Sequence, residues 1–184
     1  MTTRVALPGM RSPGAGFDQP FEMLDACHDR VRRSLDLLRR LRDYLRGHGH
    51  GCDDSARQAA RDVLRYFDIA APLHHEDEEL HVFPPLLAQE HDAPLVTLVR
   101  QLQRDHVRMA ERWATARGPL QAMADGQLPA FSAEHEAALD GFAECYADHL
   151  RHEDDSIYPA ARALLDPGAQ SAMGQEMARR RGVR

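Results

Sequence analysis

The sequence predicts an all-α chain folded as an up-down-up-down four-helix bundle, on three observations. Apolar residues recur at helical spacing through four long segments, and no segment shows the alternation of a half-buried strand. The segments are separated by short clusters of Gly, Pro and Asp. The stretch LHHEDEELHVFP also returns later as DHLRHEDDSIYP. His74, Glu78 and Pro84 of the first copy match His149, Glu153 and Pro159 of the second at identical offsets, and Phe83 matches Tyr158. Residues four apart on a helix lie one above the other, so each copy aims an imidazole and a carboxylate the same way.

The 184 residues suit one domain with a proper core. With 23 Lys+Arg against 29 Asp+Glu the net charge is −6, which gives no indication of a nucleic-acid partner. The three cysteines, Cys27, Cys52 and Cys145, are isolated and odd in number. They build neither a disulfide framework nor a zinc ribbon and fit a reducing compartment. No leader pattern and no membrane-length apolar run is read, so the expectation is a soluble cytoplasmic protein.

Residues 1–17, rich in Gly and Pro, are expected to form a loose arm. Asp18 and Pro20 open the first helix, whose row is Phe21, Leu24, His28, Val31, Leu35, Leu38 and Leu45. It ends near Arg46 at GHGHGCDD, where Asp53, Asp54 and Ser55 are cap candidates. The second helix carries Val63, Phe67, Ala70, His74, Glu78 and His81 on one face. Pro72 should kink it, and Pro84 and Pro85 should weaken or end it. Asp92 caps the third, with the row Leu95, Leu98, Leu102, His106, Met109 and Trp113, disturbed at Gly118 and Pro119. The fourth starts near Ser132 and carries Leu139, Phe142, Tyr146, His149, Glu153 and Ile157. The bundle is thus placed at 18–165, and 166–184 is expected to be a frayed basic tail.

The four rows bring histidines to one level. From His28 to the end of the first helix is roughly 27 Å, and from the start of the second back to His74 roughly 28 Å. The second hairpin matches in the same way, from His106 out and back to His149. Imidazoles and carboxylates are costly to bury unless they are paired or bind a metal. For each histidine taken singly, a hydrogen-bonded core residue is the simpler account. Four at one level with two glutamates suit one or two divalent or trivalent ions, iron first, with manganese or zinc as further choices.

On these residues the chain resembles the hemerythrin-like cation-binding family, over roughly residues 20–165. The resemblance implies two iron ions, as an oxo-bridged pair when ferric, with Glu78 and Glu153 each bridging both. It places His28 and His74 on one iron and His106 and His149 on the other. It also implies binding of dioxygen, nitric oxide or a related small oxidant. Oxygen-carrying hemerythrins have a second third-helix histidine four residues from the first, where this chain has Leu102 and Ala110. Relatives that repair iron–sulfur clusters carry an N-terminal cysteine segment, and this arm has none. The other reading of the chain is a regulatory or structural bundle, held by iron or zinc and acting through a protein partner.

His81 forms a Glu-x-x-His pair with Glu78 and is either a packing residue or a fifth histidine ligand. Because little else justifies an imidazole at that depth, coordination is the expectation. His75 and Glu79 repeat the His-x-x-x-Glu spacing on a face shared with Asp68 and Pro72, and are expected to point outward. His152 is expected behind the site or at the surface. Asp77, Asp154 and Asp155 are expected to be solvated or to orient imidazoles. Cys27 and Cys145 read as small core residues, and His48, His50, His91 and His135 as loop or helix-start residues without a metal.

Overall fold

The first helix, α1, spans Pro20–Gly47 and buries Phe21, Leu24, Cys27, His28, Val31, Leu38 and Leu41 along one face. Phe21, Leu24, His28, Val31 and Leu38 of the predicted row are buried, while Leu35 and Leu45 are only partly so and Leu41 joins the face instead. The computed structural model describes residues 16–47 and 51–183, and among these every regular element is helical. Residues 1–15 of the arm expected at 1–17, together with His48 and His50, lie outside the described residues.

Helix α2 covers residues 54–87, capped by Asp53, whose side chain accepts from the Ala56 amide. It is not a uniform α-helix. Wide turns closed by i→i−5 bonds occupy Tyr66–Ala70 and Glu78–Val82, and a third occupies Glu153–Ile157 of the fourth helix. Each ends two residues before a proline, namely Pro72, Pro84 and Pro159. A proline ring clashes with the carbonyl four residues back and offers no N–H. An added residue in the preceding turn moves that carbonyl away, and the Ala71, Phe83 and Tyr158 amides reach the carbonyls of Tyr66, Glu78 and Glu153 instead. Pro84 and Pro85 therefore do not end α2, which runs on through Phe83–Leu87.

Helix α3, Ala93–Ala124, is capped by Asp92 and continues through Gly118 and Pro119 without ending. Helix α4 covers residues 133–164 and opens on a capping box between Ser132 and His135. It is interrupted at 144–146, where the Cys145 and Tyr146 amides reach back only three residues. Consecutive helices pack as neighbours. Contacts of His28 with Asp154 and of Phe21 with Tyr158 bring α4 back to α1, closing the bundle.

The chain beyond Asp166 is not the frayed tail expected. Asp166 caps a fifth helix, α5, over Pro167–Arg180, with its side chain accepting from the Ala169 amide. Met173 and Met177 are buried in the core. Gly174 passes so close to the segment before α1 that an added Cβ would stand 1.8 Å from the Phe17 carbonyl oxygen, which no side chain tolerates. Arg180 and Arg181 both donate to Asp77, a fully buried residue of α2.

Two apolar clusters fill the bundle. One, around Leu38, Val63, Phe67, Met109, Leu120, Leu139 and Phe142, lies toward the hairpin turns. The other, around Phe21, Leu24, Val82, Phe83, Leu102, Ile157 and Met177, lies toward the opposite end. Along each helix the buried polar residues fall between them.

Candidate metal centre

His28, His74, His106, His149, Glu78 and Glu153 are all buried. The ligand atoms of His28, His74, Glu78 and Glu153 lie within 4.8 Å of one another, and so do those of Glu78, His106, His149 and Glu153. The two glutamates belong to both groups and span them. Glu78 turns Oε1 toward His74 Nε2 at 3.6 Å and His28 Nε2 at 4.0 Å, and Oε2 toward His106 Nε2 at 3.4 Å. Glu153 turns Oε2 toward His28 Nε2 at 3.2 Å and Oε1 toward His149 Nε2 at 3.0 Å and His106 Nε2 at 3.9 Å. Each carboxylate thus offers one oxygen to each histidine pair.

The residue after each glutamate orients a histidine of the other hairpin. His28 Nδ1 donates to Asp154 Oδ1 at 2.6 Å, and Arg32 holds the second oxygen at 2.5 Å. His106 Nδ1 donates to Glu79 Oε1 at 2.9 Å, and Gln103 holds the second oxygen at 2.7 Å. Both contacts fix the tautomer and leave Nε2 facing the cluster. Asp154 therefore takes the orienting role, while Asp155 is exposed. Glu79, expected outward, is half-buried against His106.

Without a cation these groups share protons. Burial disfavours a charged His28, but its hydrogen bond to Asp154 and the nearby carboxylates of Glu153 and Glu78 outweigh it and push its pKa up to about 10. His106 is likewise raised to about 10, burial being outweighed by Glu78 and Glu79. Burial works against an ionised Glu78, yet His74, His106 and His28 hold its carboxyl well below the usual range. Burial lowers His74.

The polar inventory still does not close. His74 Nδ1, Glu78 Oε2, His106 Nε2, both ring nitrogens of His149 and both oxygens of Glu153 are buried without a hydrogen-bond partner. Orphaned polar atoms are rare in protein cores and each costs on the order of 1–3 kcal/mol. Five of these seven atoms face the shared interior of the cluster, where a cation would satisfy them together. Imidazole nitrogens and carboxylate oxygens are the donors that suit such an ion.

Besides Glu79, three placements depart from the sequence reading. His81, expected among the ligands, is turned out of the cluster, and its Nε2 lies 2.7 Å from Glu176 Oε2 of α5. The wide turn beginning at Glu78 is the cause: with less rotation per residue, three steps fall further short of a full turn. His75, expected outward, stacks on the His106 ring at 4.2 Å, and its nearest ring nitrogen groups with those of His106 and His149. Burial and the neighbouring His106 hold its pKa well below the ordinary value. Asp77 is neither solvated nor an orienting group, since it anchors α5.

Sequence reasoning also missed Tyr158. Its hydroxyl donates to Glu78 Oε1 at 2.5 Å and lies 2.8 Å from His28 Nε2. Burial, then Glu78 and Glu153, raise its pKa well above the usual value. The aromatic-before-proline match with Phe83 was the available signal. His91 is exposed in a turn and His135 serves in a helix cap, the loop and helix-start places read from the sequence.

No described helix is long and apolar enough to cross a membrane. Residues 19–161 match the model of the hemerythrin HHE cation-binding domain. A protein of Haemophilus influenzae (strain Rd), described as uncharacterized, is 32% identical over 171 residues, spanning 92% of this chain and 94% of that one. The chain belongs to the hemerythrin HHE cation-binding domain family.

Proposed function

We propose that the chain is a non-haem di-iron protein of hemerythrin type that binds dioxygen, nitric oxide or a related small oxidant for sensing, scavenging or stress response. The observation that carries this reading is the split of each glutamate between the two histidine pairs. A carboxylate that merely neutralised one buried charge would need only one side. Here Glu78 and Glu153 both face both sides, the pattern of two ions sharing two carboxylates.

His28 and His74 hold one ion and His106 and His149 the other, with His75 beside the second pair. Manganese or zinc suits the same donors. Iron, when bound, supplies a coordination position at which a diatomic ligand is held. Asp154 and Glu79 keep the Nε2 lone pairs aimed inward. The apolar clusters on either side exclude bulk water, so only a small molecule reaches the glutamates. His106, at 8% exposure, is the most exposed of the six. Three free cysteines suit a reducing cytoplasm as the compartment.

The test is anaerobic loading with ferrous iron, metal analysis, and optical spectra before and after dioxygen, nitric oxide or azide. The expected result is two irons per chain and a near-ultraviolet spectrum that changes with the gas. Iron retained at fewer than two per chain, or a spectrum indifferent to all three ligands, would contradict the reading.

A further inference from the structure

The duplicated motif gives the site an internal comparison. Phe83 and Tyr158 occupy matched positions, and each ring stacks on the first-helix histidine of the other hairpin. Phe83 lies on His106 at 5.5 Å and 20°, and Tyr158 on His28 at 5.0 Å and 21°. Stacking requires only the ring, as Phe83 demonstrates. The Tyr158 hydroxyl is therefore surplus to packing, and burying a hydroxyl is unfavourable unless it finds a partner.

Its surroundings show what it is for. His28 Nδ1 is already engaged by Asp154, so Nε2 is the ring atom that faces the cluster. Tyr158 Oη stands 2.8 Å from that nitrogen and 2.5 Å from Glu78 Oε1. These are one nitrogen and one oxygen of the His28, His74, Glu78 and Glu153 group. Donors bound to one ion by bonds of about 2.1 Å at right angles stand about 3 Å apart. Oη is as near as that, or nearer, to two donors of the same half and so within reach of their ion, whereas Phe83 presents no polar atom to the other half.

We infer that Tyr158 is an oxygen ligand of the ion held by His28 and His74. This rests on the di-iron reading. Ligation exchanges the phenol O–H bond for an O–metal bond, with the proton released to solvent and no change of oxidation state. The hard anionic oxygen favours the ferric form of that ion. The two halves of the site are then unlike, with a phenolate on the His28 side and the His75 imidazole beside the His106 side. The asymmetry expected from His81 is supplied by Tyr158 instead, and exogenous ligands are directed to the ion of His106 and His149.

The test is resonance Raman spectroscopy of the full chain loaded with iron and oxidised, with excitation in the visible. The native protein is expected to show ring modes of an iron-bound phenolate. Tyr158→Phe is expected to lose them while retaining two irons. The chain has four tyrosines, so a Tyr44→Phe, Tyr66→Phe, Tyr146→Phe triple variant retains Tyr158 alone and is expected to keep the modes. That variant decides the matter if Tyr158→Phe does not fold. Native protein with two irons and no phenolate modes overturns the inference, as do modes that survive Tyr158→Phe or vanish in the triple variant. Failure of the native chain to hold two irons would instead overturn the di-iron reading beneath it.

Discussion

Asp154 and Glu79 hold matched places in the two halves, each following a buried glutamate and each gripping the Nδ1 of a histidine across the bundle. Neither touches the interior of the cluster, so each acts by fixing a ring. Asp154→Asn and Glu79→Gln keep shape but weaken that grip, and each is expected to reduce iron affinity about 10- to 100-fold. Competition with a chelator measures it, and unchanged affinity in both would show that the rings are held by packing alone. His81→Leu is expected to leave iron content at the native value, because His81 bonds Glu176 rather than the cluster. Loss of one iron equivalent would restore His81 as a ligand. The positions of the four central histidines and two glutamates were legible because apolar rows and paired spacing define a helix face. His81 was misplaced because a uniform 3.6-residue period was assumed across Glu78, and His75 because it was assigned to the face of Asp68 across the wide turn at Tyr66–Ala70. Tyr158 was read only as the counterpart of Phe83 in the repeat, although its hydroxyl is what distinguishes the two.

At the scale of elements, prolines do more than end helices. The turns before Pro72, Pro84 and Pro159 each take an extra residue, and two of them begin at the glutamates that the histidine pairs share. The prolines were visible in the sequence as kinks or stops, but a widened turn depends on packing that keeps the helix continuous on both sides. The fifth helix was legible in part. Asp166 and Pro167 form a cap and first turn, and Met173 and Met177 repeat four apart, yet the basic ending suggested a solvated tail. Two of those basic residues enclose Asp77, whose side chain is fully buried while Arg180 and Arg181 are 15% exposed. Removing both guanidinium groups leaves a buried carboxylate unpaired. The Arg180→Ala, Arg181→Ala double variant is expected to lose about 3–5 kcal/mol of stability in denaturant unfolding. A loss below about 1 kcal/mol, the range of a surface pair, would mean that α5 contributes little to the fold.

Across the whole molecule, a polar layer lies between two apolar clusters that would pack more easily without it. The level-matching of two hairpins, legible from helix lengths alone, brings that layer together, and the orphaned atoms within it leave the metal-free bundle short of its full stability. Metal binding to the native layer is therefore folding energy, and iron loading is expected to raise the unfolding midpoint and make it depend on metal concentration. An unfolding midpoint unmoved by saturating ferrous iron would separate the layer from any cation. The sharing of Glu78 and Glu153 is tested most directly by crystallography of the iron-loaded chain with anomalous scattering at the iron edge. Two peaks are expected in the layer, one contacting His28 and His74 and the other His106 and His149, with both glutamates touching both. A single peak, or either glutamate confined to one ion, would contradict it.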